Sequence, residues 1–148
     1  MQPFLGSVRR SVSNNFLVYD VVRDLLGVDI VVDSSKSYLK AVGLYLERPQ
    51  DVRVLHLTRD GRGVLYSNLK RNRPRRQGVS SWMNQYTRAL PLFKRHISAD
   101  CILQVKYEDL ATMPEQELRR ICEFIGIAFE QSMLNFASVP HHSTDGNN

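Results

Sequence analysis

Apolar residues recur at helical spacing over residues 14–26, where Phe16, Leu17, Val21, Leu25 and Leu26 share one side of "NNFLVYDVVRDLL". Asn14 is a suitable cap and Gly27 a stop. The pattern then changes to the short β-branched run "DIVVD", which ends at Asp33 and reads as a buried strand. The polar "SSKS" follows, and Ser37 can cap a helix through about Glu47 with Leu39, Val42, Gly43 and Leu46 on one side. "RPQD" breaks that helix, and "VRVLHLT" is the second strand. A helix over Arg62–Arg71, a basic loop "RNRPRRQG" and a longer helix capped by Ser80 or Ser81 come next, the last divided by Pro91. A third strand spans Cys101–Lys106. "TMPEQELRRICEFIG" predicts a helix with Thr112 as cap, Pro114 in its first turn and Gly126 as its stop. A short helix over Glu130–Phe136 precedes a polar tail.

Alternating helix and strand predict an α/β fold, a parallel sheet with flanking helices on both faces. Residues 1–148 fit one domain, with 1–13 a poorly ordered start and 138–148 a flexible tail. In such sheets ligands bind outside the carboxyl ends of the strands. "DSSK", "RDGR" and "KYEDL" each follow a strand, so the three junctions would share one cleft edge.

Charge sharpens this picture. The chain carries +5 overall, yet residues 59–76 hold seven cations against Asp60 alone, leaving that segment at +6 and the remainder at −1. One basic segment in a near-neutral protein suggests an anionic ligand at one place, although a solvated loop has the same composition. The composition, 43% hydrophobic and 24% charged, is that of a globular chain. No signal-peptide pattern is present, and no apolar run approaches the ~20 residues of a membrane span, so no membrane contact is expected from this segment. Cys101 and Cys122 read as buried free thiols, and no Cys/His spacing suits a metal.

Within "VLHLTRDGRGVLYSNLKR", Arg59 leaves a strand end with a planar, permanently charged fork suited to phosphate. The following helix directs its free N–H groups at the same anion. Gly63 stacks one turn before Ser67, and its missing side chain would leave a hollow through which a phosphate reaches the hydroxyl. A structural Arg–Asp pair beside a surface serine fits the same residues.

This stretch resembles the 3′-phosphate-binding segment of sulfotransferases that use 3′-phosphoadenosine-5′-phosphosulfate (PAPS): a strand, Arg-Asp, and a serine eight residues after the arginine. The resemblance implies that Arg59 and Ser67 hold the 3′-phosphate. "VKYEDL" with "CEFIGI" is similar to the same family and places Tyr107 beside the nucleotide. "VVDSSK" resembles the loop near the sulfuryl group and acceptor, which points to Asp33 and Lys36 as catalytic candidates. Lys36 would stabilise charge near the transferred group, or face solvent. Asp33 would act as base, or cap the region of the Ser37 helix. His56 reads as a core histidine, His141 and His142 as parts of the tail, and Trp82 with Tyr86 as a core aromatic pair.

The implied fold is the P-loop NTPase-like sulfotransferase fold, incomplete at the N-terminus. "FLGSVRRS" has no preceding strand and no G-x-x-x-x-G-K-[ST], and no arginine follows Arg120. The chain therefore reads as the central and C-terminal part of such a domain, a layout that a fragment, a partial gene model and a degenerate homologue share. The implied reaction is sulfuryl transfer from PAPS, with no metal, to a hydroxyl or amine such as that of an acidic glycan. The isolated chain is expected to be inactive. The implied compartment is the Golgi lumen for an animal carbohydrate-type parent and the cytoplasm otherwise. The basic residues 70–76 leave a second reading, a non-catalytic polyanion- or nucleic-acid-binding module. The loop lacks interleaved aromatics, so nucleic acid is not the expected partner. A nucleotide kinase would need the Walker loop that these residues lack.

Overall fold

Two five-residue strands lie parallel at the centre, β1 (Val54–Thr58) and β2 (Ile102–Lys106), paired from Val54 with Ile102 to Thr58 with Lys106. The computed structural model describes residues 2–72 and 74–138. Helix α1 (Gln2–Leu26) and helix α2 (Tyr38–Glu47) precede β1. Helices α3 (Gly61–Lys70), α4 (Arg75–Asn84) and α5 (Leu90–His96) form the crossover to β2, and α6 (Tyr107–Thr112) and α7 (Pro114–Ile125) follow it. This is the α/β arrangement expected, a parallel sheet with flanking helices, consistent with a sulfotransferase fold.

Packing follows the apolar pattern. Val42 of α2, Val54 of β1, and Phe93 and Ile97 at the end of the crossover form the main core with Ala89 and Cys101. Val12, Phe16 and Leu44 join α1 to α2. The two helices come close because Gly43 has no side chain; a Cβ there would lie 3.0 Å from Val12 Cγ2. Along β1 the burial alternates: Val54, His56 and Thr58 face inward, while Leu55 and Leu57 stay 43% and 50% exposed. Arg120 on α7 donates to the Gln104 carbonyl at 3.1 Å and ties that helix to β2.

Several expected boundaries move. Helix α1 already begins at Gln2, ahead of Asn14. "DIVVD" is not a strand: residues 28–37 run irregularly beside a cleft of about 380 Å³ that is lined by 29–33 on one side and Val52–Leu55 on the other. A strand needs a ladder, and this run instead bonds locally, Val28 to the Arg23 carbonyl and Ser35 to Asp33, with Val32 81% exposed. The basic loop is half helical, because Pro74 starts α4 and places Arg75 and Arg76 in its first turn. Helicity then continues through a π turn (Gln85–Ala89) into α5. That widened turn lies just ahead of Pro91, whose ring would press on the residue 87 carbonyl in a regular α-helix. Met113, not Thr112, is the cap of α7; the Thr112 hydroxyl donates back to the Glu108 carbonyl at 2.9 Å. Ser37 does cap α2, accepting from Lys40 N at 3.2 Å, and Gly126 ends α7 at φ 79°. The short terminal helix is of 3-10 type, Gln131–Ser138. The tail beyond it, with His141 and His142, lies outside the described residues.

His56 is buried with its ring edge-on to Phe93, centroids 5.2 Å apart. Neither ring nitrogen has a hydrogen-bond partner in good geometry. Burial lowers its pKa from 6.5, against a smaller opposing pull from the Gln85 side chain. The unfolded imidazole thus binds a proton at a pH where the folded one resists it. His56 therefore contributes its full stability above pH 6.5 and loses it as the pH falls below that value. Urea unfolding should show a free energy of unfolding that declines from about pH 7.5 to about pH 5.5, by at most ~1.4 kcal/mol per pH unit. His56→Leu should flatten that decline; an equally steep decline in the variant would place the sensitivity elsewhere.

Candidate functional site

The strand register builds the site. Thr58 and Lys106 are paired, so the next residues, Arg59 and Tyr107, leave the sheet side by side. The Arg59 guanidinium stacks on Tyr107, with its central carbon 4.2 Å from the ring centroid. Tyr107 remains 41% exposed, so this stack forms an open edge rather than a closed core.

Helix α3 begins at the same point. Asp60 caps it by accepting from Arg62 N at 2.7 Å, and its carboxylate is gripped by the Arg62 guanidinium at 2.8 Å. The bonds from Arg62 lower the Asp60 pKa to about 2. One N–H of the helix start is thus satisfied by the cap, and Asp60 N itself donates to Glu108 Oε1 at 2.9 Å. Glu108 belongs to the same "YEDL" that carries Tyr107.

The two glycines of "RDGRG" have separate tasks. A Cβ on Gly63 would sit 3.1 Å from Arg59 Nε, so the hollow above Gly63 holds the arginine side chain itself. A Cβ on Gly61 would lie 3.0 to 3.3 Å from the Trp82 ring. Trp82 also donates its indole N–H to the Arg59 carbonyl at 2.9 Å. Ser67 lies one turn beyond Gly63 on α3 and is half-buried. Arg59 and Tyr107 therefore meet at the carboxyl end of the sheet, and Ser67 lies further along the helix that starts there. A guanidinium fork and a helix start, with a hydroxyl further along, suit a phosphate.

Asp33 and Lys36 sit before α2. Asp33 ion-pairs with Lys40 at 2.7 Å, accepts from the Tyr19 hydroxyl and accepts from Ser35 N at 2.7 Å. Partial burial raises its pKa, but the bonds from Lys40, Tyr19 and Ser35 outweigh that and hold the carboxyl well below the usual carboxylate range. As placed, Asp33 is an anion that joins α1, the loop and α2. Lys36 is exposed in that loop.

Trp82 and Glu108 are the participants that sequence reasoning missed. Trp82 was expected in a core pair; its ring lies 4.8 Å from that of Tyr86, but Tyr86 is exposed, so the pair is not core, and the indole N–H serves the β1–α3 turn. Spacing could not reveal a bond between residues on separate elements. Among the described residues, no group of three or more His, Cys, Asp or Glu could hold a metal, and no helix is long and apolar enough to cross a membrane.

Comparison with known proteins identifies the family. The model of the Sulfotransferase family matches residues 9–131, and the chain belongs to that family. A curated relative, carbohydrate sulfotransferase 1 of Danio rerio, is 27% identical over 124 residues, an alignment covering 70% of this chain. The same alignment covers 29% of the relative, so the chain spans less than a third of that protein's length. No solved structure matches the chain significantly.

The Asp33 cluster gives a direct check. Lys40→Met should bring the Asp33 carboxyl up towards the ordinary value near ~4 in an NMR pH titration. An unmoved titration would mean that Tyr19 and Ser35 hold the anion without the ammonium.

Proposed function

We propose that this chain serves the transfer of a sulfuryl group from PAPS to a carbohydrate hydroxyl or amine, that it is inactive in isolation, and that the Arg59 site anchors the 3′-phosphate of the donor. The observation that carries this reading is the Arg59–Tyr107 stack at 4.2 Å, set by strand register at the mouth of α3 and followed by Ser67. In the transfer, the acceptor oxygen or nitrogen bonds to sulfur while the bond from sulfur to the 5′-phosphate oxygen breaks. The acceptor proton goes to a base, and adenosine 3′,5′-bisphosphate leaves. Arg59 and Ser67 bind and orient the nucleotide far from the reacting bond; the Tyr107 face supports the guanidinium. Lys36, in the loop expected near the sulfuryl group, is the candidate for countering charge on the leaving oxygen.

An acidic glycan is the acceptor class that the surface supports. Lys70, Arg71, Arg75 and Arg76 are exposed where α3 gives way to α4, and none has a carboxylate partner among the described residues. The ten residues of α3 place this patch roughly 15 Å along the helix from its Arg59 end. Such a field draws anionic chains towards the donor site without occupying it.

Binding is the first test, because the reading rests on the phosphate anchor. Calorimetry should show tighter binding of adenosine 3′,5′-bisphosphate than of adenosine 5′-phosphate; equal affinities would sink the assignment. Arg59→Ala should cost more of that binding than Ser67→Ala, because a bond to the charged phosphate is worth about 1.5–3 kcal/mol and Arg59→Ala removes a charge as well.

For the acceptor, replacing Lys70, Arg71, Arg75 and Arg76 together by serine should abolish retention on heparin while leaving nucleotide selectivity intact. Retention unchanged by the four substitutions would remove the patch from the acceptor reading. Displacement from heparin by single-stranded DNA as readily as by chondroitin sulfate would favour the general polyanion-binding module instead.

A further inference from the structure

Arg59 is useful as an anchor only if its backbone is fixed, and it occupies a short junction between the ladder of β1 and helix α3. Residues 59 and 60 lie between the last paired residue of β1, Thr58, and the first residue of α3, Gly61. The Asp60 carbonyl accepts from Val64 N at 3.0 Å in the first turn of α3, but the Arg59 carbonyl and the Asp60 N–H need partners from elsewhere. The Arg59 carbonyl accepts the Trp82 indole N–H at 2.9 Å, across 23 residues of sequence. The Asp60 N–H goes to Glu108 at 2.9 Å, across 48 residues. The indole ring fills the space left by Gly61, and the arginine side chain fills the space left by Gly63.

We infer that Trp82 is a positioning residue for the 3′-phosphate anchor: its N–H and ring lock the β1–α3 turn so that the Arg59 guanidinium stays on Tyr107. The inference rests on the phosphate reading above and extends it to a residue outside both strand ends. Glu108 completes the clamp from the opposite side, on the same helix as Tyr107. A rotation of the 59–60 peptides would break both bonds, press Gly61 into the indole and carry the guanidinium off the ring.

Trp82 is the sole tryptophan of the chain, so it also reports on its own role. In the full chain, adenosine 3′,5′-bisphosphate should change the intrinsic fluorescence, and adenosine 5′-phosphate should change it far less. Trp82→Phe keeps a flat ring, removes the N–H and trims three ring atoms near Gly61, so its effect is read as selectivity between the two nucleotides. It should weaken binding of adenosine 3′,5′-bisphosphate roughly three- to tenfold, the loss expected for one hydrogen bond, and leave adenosine 5′-phosphate binding unchanged. A general structural role would weaken both nucleotides alike. Glu108→Gln, which still presents a carbonyl oxygen to Asp60 N, should keep the selectivity, and Glu108→Ala should lose it. Unfolding midpoints of the variants, measured alongside, identify any that fail to fold. A selective wild-type protein whose Trp82→Phe and Glu108→Ala variants are equally selective would overturn the positioning role alone. A wild-type protein with no selectivity would overturn the phosphate reading, and the clamp with it.

Discussion

The parallel pairing of β1 with β2 is the constraint on which the rest depends. It is short, five residues on each side, yet its register decides which side chains emerge together at the carboxyl end. A slip of one residue would place Tyr107 beside a different neighbour and would turn His56 and Val105 away from their buried surroundings. The main core, formed by α2, the end of the crossover and the inner face of β1, holds that register. The Thr58 hydroxyl adds a bond to the Val105 carbonyl at 3.3 Å close to the point where the strands end.

From this frame the site is assembled by polar and aromatic contacts more than by burial. Arg59 lies over Tyr107, Asp60 caps α3 and leans on Glu108, and Trp82 covers the turn. Each contact joins a residue near one strand end to a residue of another element. The arginine is therefore placed before any ligand arrives, and a phosphate need not order it. The Asp33 cluster works similarly at the start of α2, tying the 28–37 segment to α1 through Tyr19 and to α2 through Lys40.

Much of this was legible in the sequence, where local physics decides. Ser37 and Gly126 fixed helix ends because a cap and a left-handed stop act within a few residues. "VLHLT" and "ILQVK" formed strands, and "RDGRG" marked the junction, because alternation and glycine punctuation are local too. "DIVVD" failed as a strand because β-branched residues show fitness for a sheet without supplying the neighbour that makes one. The hollow expected above Gly63 was real, but its occupant is Arg59. Only the fold could show this, since the same gap serves a ligand or a side chain. The role of Trp82 was illegible for a related reason: its partner is a main-chain carbonyl, and every residue type presents one.

One feature of β1 bears on how copies of the chain meet. Among the described residues β1 is paired on one edge, by β2, and Leu55 and Leu57 are half exposed. An unpaired edge invites another strand. A second copy laid antiparallel and centred on His56 would set Arg53 of one chain opposite Arg59 of the other, and Arg59 opposite Arg53. Like charges facing each other across a strand pair repel. An edge of five residues with an arginine just beyond each end thus offers a second strand little length and an unfavourable charge at both ends.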